Sequence, residues 1–482
     1  MITMLTNGET LRGKLGQQIA LAGLGVYVLS APHSVAASAI GVAIASVGWL
    51  IRTFQTRSLG LRPSKFDLII ALSLLWTVAS ALLSEEPQVS IPKLQASWTV
   101  FLFYIARATL TRKPAMLLVA LLIVSGAAGA LYSAFDLLRG RGVVVESIAP
   151  ESQFNEIGIK PGDTVWQINR RRVYSTTDID RIMAETPANT PLTAGIISRG
   201  EQVERAFTVT RSSGSGLSGR ERNHSFRASG WTRHYGTFAE LMQMIGLLAL
   251  GLALAHLRNH GPNRIFRIAI VAGALLTAGL VFTAMRTVIV AFVIGASVMA
   301  LRSLRATLRV VFTFALFAVL AFAAVVVWQT RDRNALLLGD PSSSLRLQVA
   351  RNGLSRIPIH PVFGHGMDAM HLHWNEWGFP GKDILHLHST PLQLAFDRGL
   401  PLLALWLWMM ILFWLTIARA ERRAADLSDT NFYGMMLGIL GALTGFLMSS
   451  LVNYNYGDAE AVMLFWFLMG MALTTDYTEQ SV

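Results

Sequence analysis

The stretch "IAIVAGALLTAGLVFTAMRTVIVAFVIGASVMAL", Ile268 to Leu301, contains one charged residue in 34, Arg286. A helix rises ~1.5 Å per residue and crosses a ~30 Å hydrocarbon layer in ~20 residues. The run is therefore too long for one crossing. It reads as two spans, near 265–285 and 287–302, with a tight turn at Arg286. An arginine at membrane depth is costly, so it faces the bundle interior or a wet cavity and takes an anionic partner. That partner is either an anionic ligand or a structural carboxylate, Asp458 or Glu460.

The same pattern extends in both directions. Of 482 residues, 52% are apolar and 15% charged, against about a quarter charged in soluble domains. Mean hydropathy is +0.46. Apolar runs mark spans near 17–31, 35–51, 67–84, 94–110, 115–138, 238–257, 265–285, 287–302, 309–329, 390–418, 431–452 and 459–475. The expected fold class is an all-α polytopic membrane protein with about 12 transmembrane helices. "GETLRGKLGQQ" leads straight into the first span, with no cleavable signal peptide before it.

Loop charge sets the orientation. With the N-terminus inside, the inner loops hold Arg52, Arg57, Arg62 and Lys65, then Arg107, Arg112 and Lys113, then Arg258, Arg264 and Arg267, then Arg302, Arg305 and Arg309, then Arg419, Arg422 and Arg423. The short outer loops "APHS", "SEEPQVS" and "NYNYGDAE" have almost no positive charge, as the positive-inside rule requires. Both termini are then cytoplasmic. The long segments 139–237 and 330–389 lie outside. The net charge of +12 reflects the inner arginines rather than nucleic-acid binding. With no cysteine, thiolate chemistry and thiolate metal sites are excluded.

The expected domains are 1–138 (spans 1–5), 139–212 (an inserted outer domain), 213–236 (a linker), 237–329 (spans 6–9), 330–389 (a large outer loop) and 390–482 (spans 10–12). In the insertion, "GVVVESI" alternates like a strand, and "IGIKPGDTVWQIN" reads as a turn then a strand. "TTDIDRIMAET" is a short capped helix, and "LTAGIISR" and "VERAFTVTR" are two further strands. With its Gly158, Gly162 and Asp163 turn, the segment resembles a bacterial PDZ domain over about 70 residues. The resemblance implies a strand-addition groove between the first strand and the helix, for a peptide or protein partner. The alternative role is a packing module that positions neighbouring loops. The linker "SSGSGLSGRERNHSFRASG" reads as flexible. Its Arg220, Arg222 and Arg227, with Arg233 just beyond, sit where they attract membrane lipids.

Six of the 11 histidines, His360, His365, His371, His373, His386 and His388, fall in the last outer loop. A metal site is one reading, with Asp368, Glu376 and Asp383 nearby, but no third ligand stands at a recognisable spacing. Histidines satisfying loop carbonyls are a second. Acid–base chemistry is the third, because imidazole titrates near neutrality. The third is favoured by Arg286, and by Arg346 and Arg351 in "PSSSLRLQVARNGL", an amphipathic interfacial helix. Guanidinium forks match phosphate oxygens.

In order along the chain come Arg286, the Arg346/Arg351 helix, "IPIHPVFGHGMD" with Pro361, Gly364 and Gly366, and "HLHSTPLQLAFDRGLP". This order resembles the O-antigen ligase and O-antigen polymerase superfamily of bacterial envelope enzymes, best over 280–405. The resemblance implies a metal-independent inverting glycosyltransferase without cofactor, in the inner membrane with a periplasmic site. It implies an undecaprenyl-diphosphate-linked glycan donor and a lipid A-core, growing glycan or protein acceptor. Ser389 stands where an asparagine is common, and the PDZ-like insertion is not a usual family part.

On this reading Arg286, Arg346 and Arg351 hold the donor diphosphate, and His388, with His386 second, is the base. Gly364 and Gly366 shape the loop, and Asp383 or Asp458 orients the imidazole. No metal is expected. Within the family a polymerase or a protein O-oligosaccharyltransferase is the alternative. More distant alternatives are a twelve-span transporter, which inverted repeats would mark, and a PDZ scaffold.

Overall fold

The computed structural model describes residues 13–198, 201–209, 214–232, 234–330, 341–381, 384–427 and 429–474. Asp383 and Arg233 lie outside the described residues. The first helices are α1 Lys14–Ser30, α2 Val35–Thr56, α3 Lys65–Leu83, α4 Pro87–Lys93, α5 Phe101–Thr109 and α6 Arg112–Arg139. A mixed segment follows: β1 Arg141–Ile148, α7 Gln153–Glu156, β2 Thr164–Ile168, β3 Arg171–Arg172, α8 Thr176–Glu185, β4 Pro191–Ser198, β5 Glu201–Thr208 and β6 Leu217–Asn223. The chain then returns to helices: α9 Tyr235–His260, α10 Arg264–Phe282, α11 Arg286–Ser303, α12 Ala306–Thr330, α13 Pro341–Arg356, α14 Ala369–Leu372, α15 Thr390–Ala425, α16 Thr430–Ser450 and α17 Ala459–Ala472.

Among the described residues nine helices are long and apolar enough to cross a membrane: α2, α3, α6, α9, α10, α11, α12, α15 and α16. The chain is a multi-pass membrane protein. Three of the expected spans fall on shorter elements. The runs 17–31 and 459–475 are α1, of 17 residues, and α17, of 14. The run 94–110 is a 3₁₀ stretch, Leu94–Val100, followed by the nine residues of α5. Polar Gln95, Ser97 and Thr99 interrupt its apolar face. The long run around Arg286 breaks where expected: α10 ends at Phe282, Ala284 takes a left-handed φ of 50°, and α11 starts at Arg286.

Helix α9 is the hub, buried from Tyr235 through His256. It packs against α16, α10, α11 and α6. A Cβ at Gly251 would collide with the backbone of Gly434 and Gly438. Small residues let helices approach this closely where lipid supplies no hydrophobic drive between them.

The inserted segment forms one sheet in the order β5-β4-β2-β1-β6, with β3 on β2. Val143, Val145, Phe154, Val165, Ile179 and Met183 build a separate core. Residues 213–236, expected to be a flexible linker, instead supply β6, which pairs antiparallel with β1 from Arg141↔Asn223 to Ile148↔Leu217. The expected groove between the first strand and the helix is therefore filled. Both edges of β1 are paired, and α8 lies beside β6. Gly and Ser tolerate many conformations, so composition alone does not forbid a ladder once a partner edge is available. Buried Arg141 forms an ion pair with buried Asp136 at the end of α6, which also accepts from Arg172 at 3.2 Å. Such a pair is costly to break once desolvated, so the sheet is tied to the bundle at its first residue.

Helix α15 is kinked at Gly399, whose φ is 81°. A Cβ there would overlap the Val362 carbonyl, and the Leu400 N–H donates to the Pro361 carbonyl at 2.8 Å. The large loop is thus laid onto the kink of the helix that follows it.

Candidate functional site

Arg286, Arg346 and His388 come from three distant segments and meet around the start of α13. Arg286 is the first residue of α11, after the Thr283–Met285 turn. Its Nη2 donates to Ser343 Oγ on α13 at 3.1 Å. Arg346 is three residues further along α13, on the same side as Ser343. Arg351 is exposed and five residues on, about 140° round the helix, so it does not share that face. The α11 N-terminus carries no side-chain cap at Met285. An uncapped helix start beside guanidinium groups favours an anion.

The "HLHS" segment is held by the residue between its histidines. Leu387 is buried and fills the space a side chain at Gly353 of α13 would need. Its N–H donates to Gln393 Oε1 at 2.7 Å. With Leu387 turned inward, the two imidazoles lie together, ring centroids 4.2 Å apart. The His388 N–H donates to His386 Nδ1 at 3.3 Å. His388 has a left-handed φ of 53°, uncommon for a residue with a side chain, which the surroundings must hold. Burial pushes its pKa down to about 2, and the nearby positive charges of His386, Arg346 and His234 add to the effect. The ring is therefore neutral at physiological pH.

The other histidines have different surroundings. His365 is fully buried; its Nδ1 lies 2.5 Å from Glu85 Oε2, its Nε2 lies 3.1 Å from the Arg356 carbonyl, and it stacks on Phe396. His373 lies between Glu376 and Glu86 at 2.6 and 2.8 Å, and these carboxylates, Glu376 first, push its pKa up. His371 is exposed. Glu85, His360 and His365 offer ligand atoms within 4.8 Å of one another. Both nitrogens of His365 already face oxygen partners, so a metal there has to displace one of them. Gly364, at φ 75°, lets the loop backbone touch that of Asp397 and Arg398. Gly366 likewise lies against Ser90. The glycine signature positions the loop and brings no group to the histidine pair.

Asp458 does not orient the imidazole in this arrangement. One oxygen accepts from Thr237 Oγ1 at 2.5 Å and the other caps α17 through the Ala461 N–H.

Sequence reasoning missed two residues. His234, which caps α9, is one of the charges acting on His388. Glu240, six residues further along in α9, is buried and accepts from Ser449 Oγ at 2.9 Å and from the amides of Asn453 and Asn455 at 3.5 Å. Asn453 also donates to Thr287 Oγ1, beside Arg286, and its carbonyl accepts from Thr390, two residues after His388. Glu240 thus holds the loop that fixes both the arginine and the histidine segments. A carboxylate inside an otherwise apolar span was the available signal. Glu240→Leu strands these buried donors, each at about 1–3 kcal/mol. It is expected to lower the unfolding midpoint of the purified protein clearly, with Glu240→Gln milder because one acceptor oxygen remains. Equal midpoints for Glu240→Leu and wild type would remove Glu240 from this role.

Beside the histidine pair, a cavity of about 340 Å³ lies between α3, the 3₁₀ stretch, α15 and residues 454–457. Tyr454, 5.8 Å from the His386 ring, is on its wall. Trp98, Trp406 and Trp466 line it together with Gln393 and Asp397. Arg398 Nε and Trp406 Nε1 are buried donors without a partner among the described residues. Aromatic faces with a few convergent polar groups make a ligand-binding cavity.

Residues 271–407 match the family model described as O-antigen ligase. The match runs from α10 through the kink of α15 and includes Arg286, Arg346 and the histidine loop. The match covers less than half of the chain and supports a likeness to the ligase and polymerase superfamily over this stretch. Separately, 79 residues, 16% of the chain, are 32% identical to the magnetosome formation protease MamE of Magnetospirillum gryphiswaldense. The chain spans only 10% of that relative's length.

Proposed function

We propose that the protein transfers a glycan from an undecaprenyl-diphosphate donor to an acceptor hydroxyl, on the periplasmic side of the inner membrane. The observation that carries this reading is the convergence of Arg286, Arg346 and a neutral His388 at the start of α13. The donor diphosphate lies against Arg286, Arg346 and the α11 N-terminus, where fixed positive charge stabilises the departing anion. His388 takes the proton of the acceptor hydroxyl as its oxygen bonds to the anomeric carbon. The bond from that carbon to the diphosphate oxygen breaks, and undecaprenyl diphosphate leaves with the electron pair. Attack opposite the leaving group inverts the anomeric centre. The aromatic cavity beside His386 receives the acceptor sugar. His386 is a neighbour that holds the His388 backbone.

The test is a membrane assay with purified lipid-linked donor. Transfer by wild-type protein and none by the Arg286 and His388 variants supports the reading; no transfer by wild type with any lipid-linked glycan defeats it. In a deletion strain, accumulated lipid-linked polymer marks a ligase and accumulated single repeat units mark a polymerase. The acceptor is then lipid A-core in the first case and a growing glycan in the second. A protein acceptor would appear as loss of glycosylated protein.

Transfer is expected to persist in EDTA, because the proposed step uses arginines where other enzymes use a cation. Activity lost on chelation and restored by one divalent ion would point instead to Glu85, His360 and His365.

The domain layout follows the same proposal: twelve crossings with both termini cytoplasmic, and a PDZ-like sheet outside. Its open edge for a peptide or protein partner is β6, beside α8. A periplasm-dependent reporter fused at Gly214 should be active, and a cytoplasm-dependent one silent. The reverse result overturns the orientation.

A further inference from the structure

At the end of the bundle opposite the histidine loop, Arg62, Lys65, Arg107, Arg112, Arg419 and Arg423 surround a cavity of about 650 Å³. Arg107 bonds Asp67 at 2.6 Å, and Arg112 lies 3.7 Å from Asp429 and over the Phe432 ring. Asp426 is the one acid on the wall among the described residues. So much like charge around one concavity raises the local concentration of anions. The floor is apolar, with Phe66, Met436 and Leu473. Thr416 Oγ1, on the wall, is buried with no hydrogen-bond partner among the described residues.

The shape of the surface selects the kind of anion. Ile411 and Leu415 are exposed on α15 at 58% and 41%. They stand at i and i+4, and Arg419 is the next residue on that face. An apolar ridge thus runs along the lipid-facing side of α15 and ends at the cationic rim. A free anion uses only the rim. A lipid uses both, with its phosphate between guanidinium forks and its chain on the ridge.

We propose that this cavity binds the headgroup of an anionic phospholipid, with an acyl chain lying along Ile411 and Leu415. The site is separate from the proposed transfer site, so it stands whether or not that reaction is correct.

The experiment uses the purified full-length protein in neutral detergent, with thermal unfolding followed during titration. Three probes are compared at equal phosphate concentration: dioleoylphosphatidylglycerol, dioleoylphosphatidylcholine and inorganic phosphate. A ligand that binds only the folded state raises the midpoint. A saturable rise is expected with phosphatidylglycerol alone. Arg419→Glu with Arg423→Glu should weaken the apparent affinity at least roughly tenfold, as loss of charge-assisted hydrogen bonds does, without lowering the lipid-free midpoint. Arg423→Gln gives the same reading, with a smaller shift, should the double variant fold poorly. An equal rise with phosphatidylcholine reduces the effect to acyl chains, and an equal rise with phosphate makes the site one for small anions. Unchanged phosphatidylglycerol affinity in the variants places the lipid elsewhere. Each of these three results overturns the proposal.

Discussion

His388→Ala is expected to lower glycan transfer by about 10²–10⁴-fold, the usual cost of losing a general base, while donor binding persists. The ring stands two residues before α15, held by buried Leu387 and by the Gln393 bond to the Leu387 backbone. Proton transfer tolerates little misplacement, and two of the other loop histidines are committed elsewhere, His365 to Glu85 and Arg356, and His373 to Glu86 and Glu376. The pH dependence follows from the depressed pKa. A histidine whose pKa is pushed down to about 2 stays in its neutral, proton-accepting form far below the usual value near 6.5. The profile of kcat/KM reports the free enzyme, so it should be flat from about pH 5 to 7. The bound diphosphate places negative charge beside Arg346 and favours the imidazolium, so any acid limb in kcat should lie at higher pH than that in kcat/KM. Near-normal turnover by His388→Ala, with His365→Ala folded and inactive, would assign the base to the wrong ring. An acid limb near pH 6.5 in kcat/KM would mean that His388 is not the base.

Arg286→Lys is expected to cut transfer by about 10²-fold or more, on the scale of removing one preorganised donor at a developing anion. Lysine keeps the charge but loses the planar fork. Position makes the fork matter. Arg286 opens α11 after a turn containing a left-handed Ala284, and its Nη2 is aligned by Ser343. The turn is braced by buried Arg227, whose Nε donates to the Thr283 carbonyl at 2.9 Å. A flexible ammonium at this point reaches one phosphate oxygen where the guanidinium reaches two. Because the charge acts on the leaving group, kcat should fall more than donor KM rises. Arg351→Lys, exposed on another face of α13, should be nearly neutral. Wild-type transfer by Arg286→Lys at normal abundance would remove the arginine from the diphosphate. Equal losses in Arg286→Lys and Arg351→Lys would mean that α13 acts as a general cationic surface and that no specific pair is formed.

Which parts of the molecule could be read in advance follows from the range of the forces involved. The break at Arg286 was legible because a lone charge in 34 residues is a local signal with a large energetic cost. So was the loop before α15, because its histidines and arginines are clustered in the chain. The strand β6 was not legible: "GLSGRERN" has no apolar alternation, and it becomes a strand because β1 offers it an edge. Nor were the different roles of the six histidines. His365, between Gly364 and Gly366, and His388, between Leu387 and Ser389, carry no local sign of their surroundings. One is pinned by Glu85, 280 residues away in sequence, and the other is kept neutral by burial and by Arg346.

By itself the sequence determined the membrane class, the apolar runs, the turn at Arg286 and the loop in which histidines and arginines cluster, because hydropathy and charge act over a few residues. Only the tertiary structure decided which arginine faces His388, that Asp458 caps α17 and does not orient the base, and that Glu240 ties the arginine and histidine segments together. Those outcomes depend on desolvation and on hydrogen bonds between residues as far apart as 215 positions in Glu240 and Asn455, and such contacts exist only once the helices have packed.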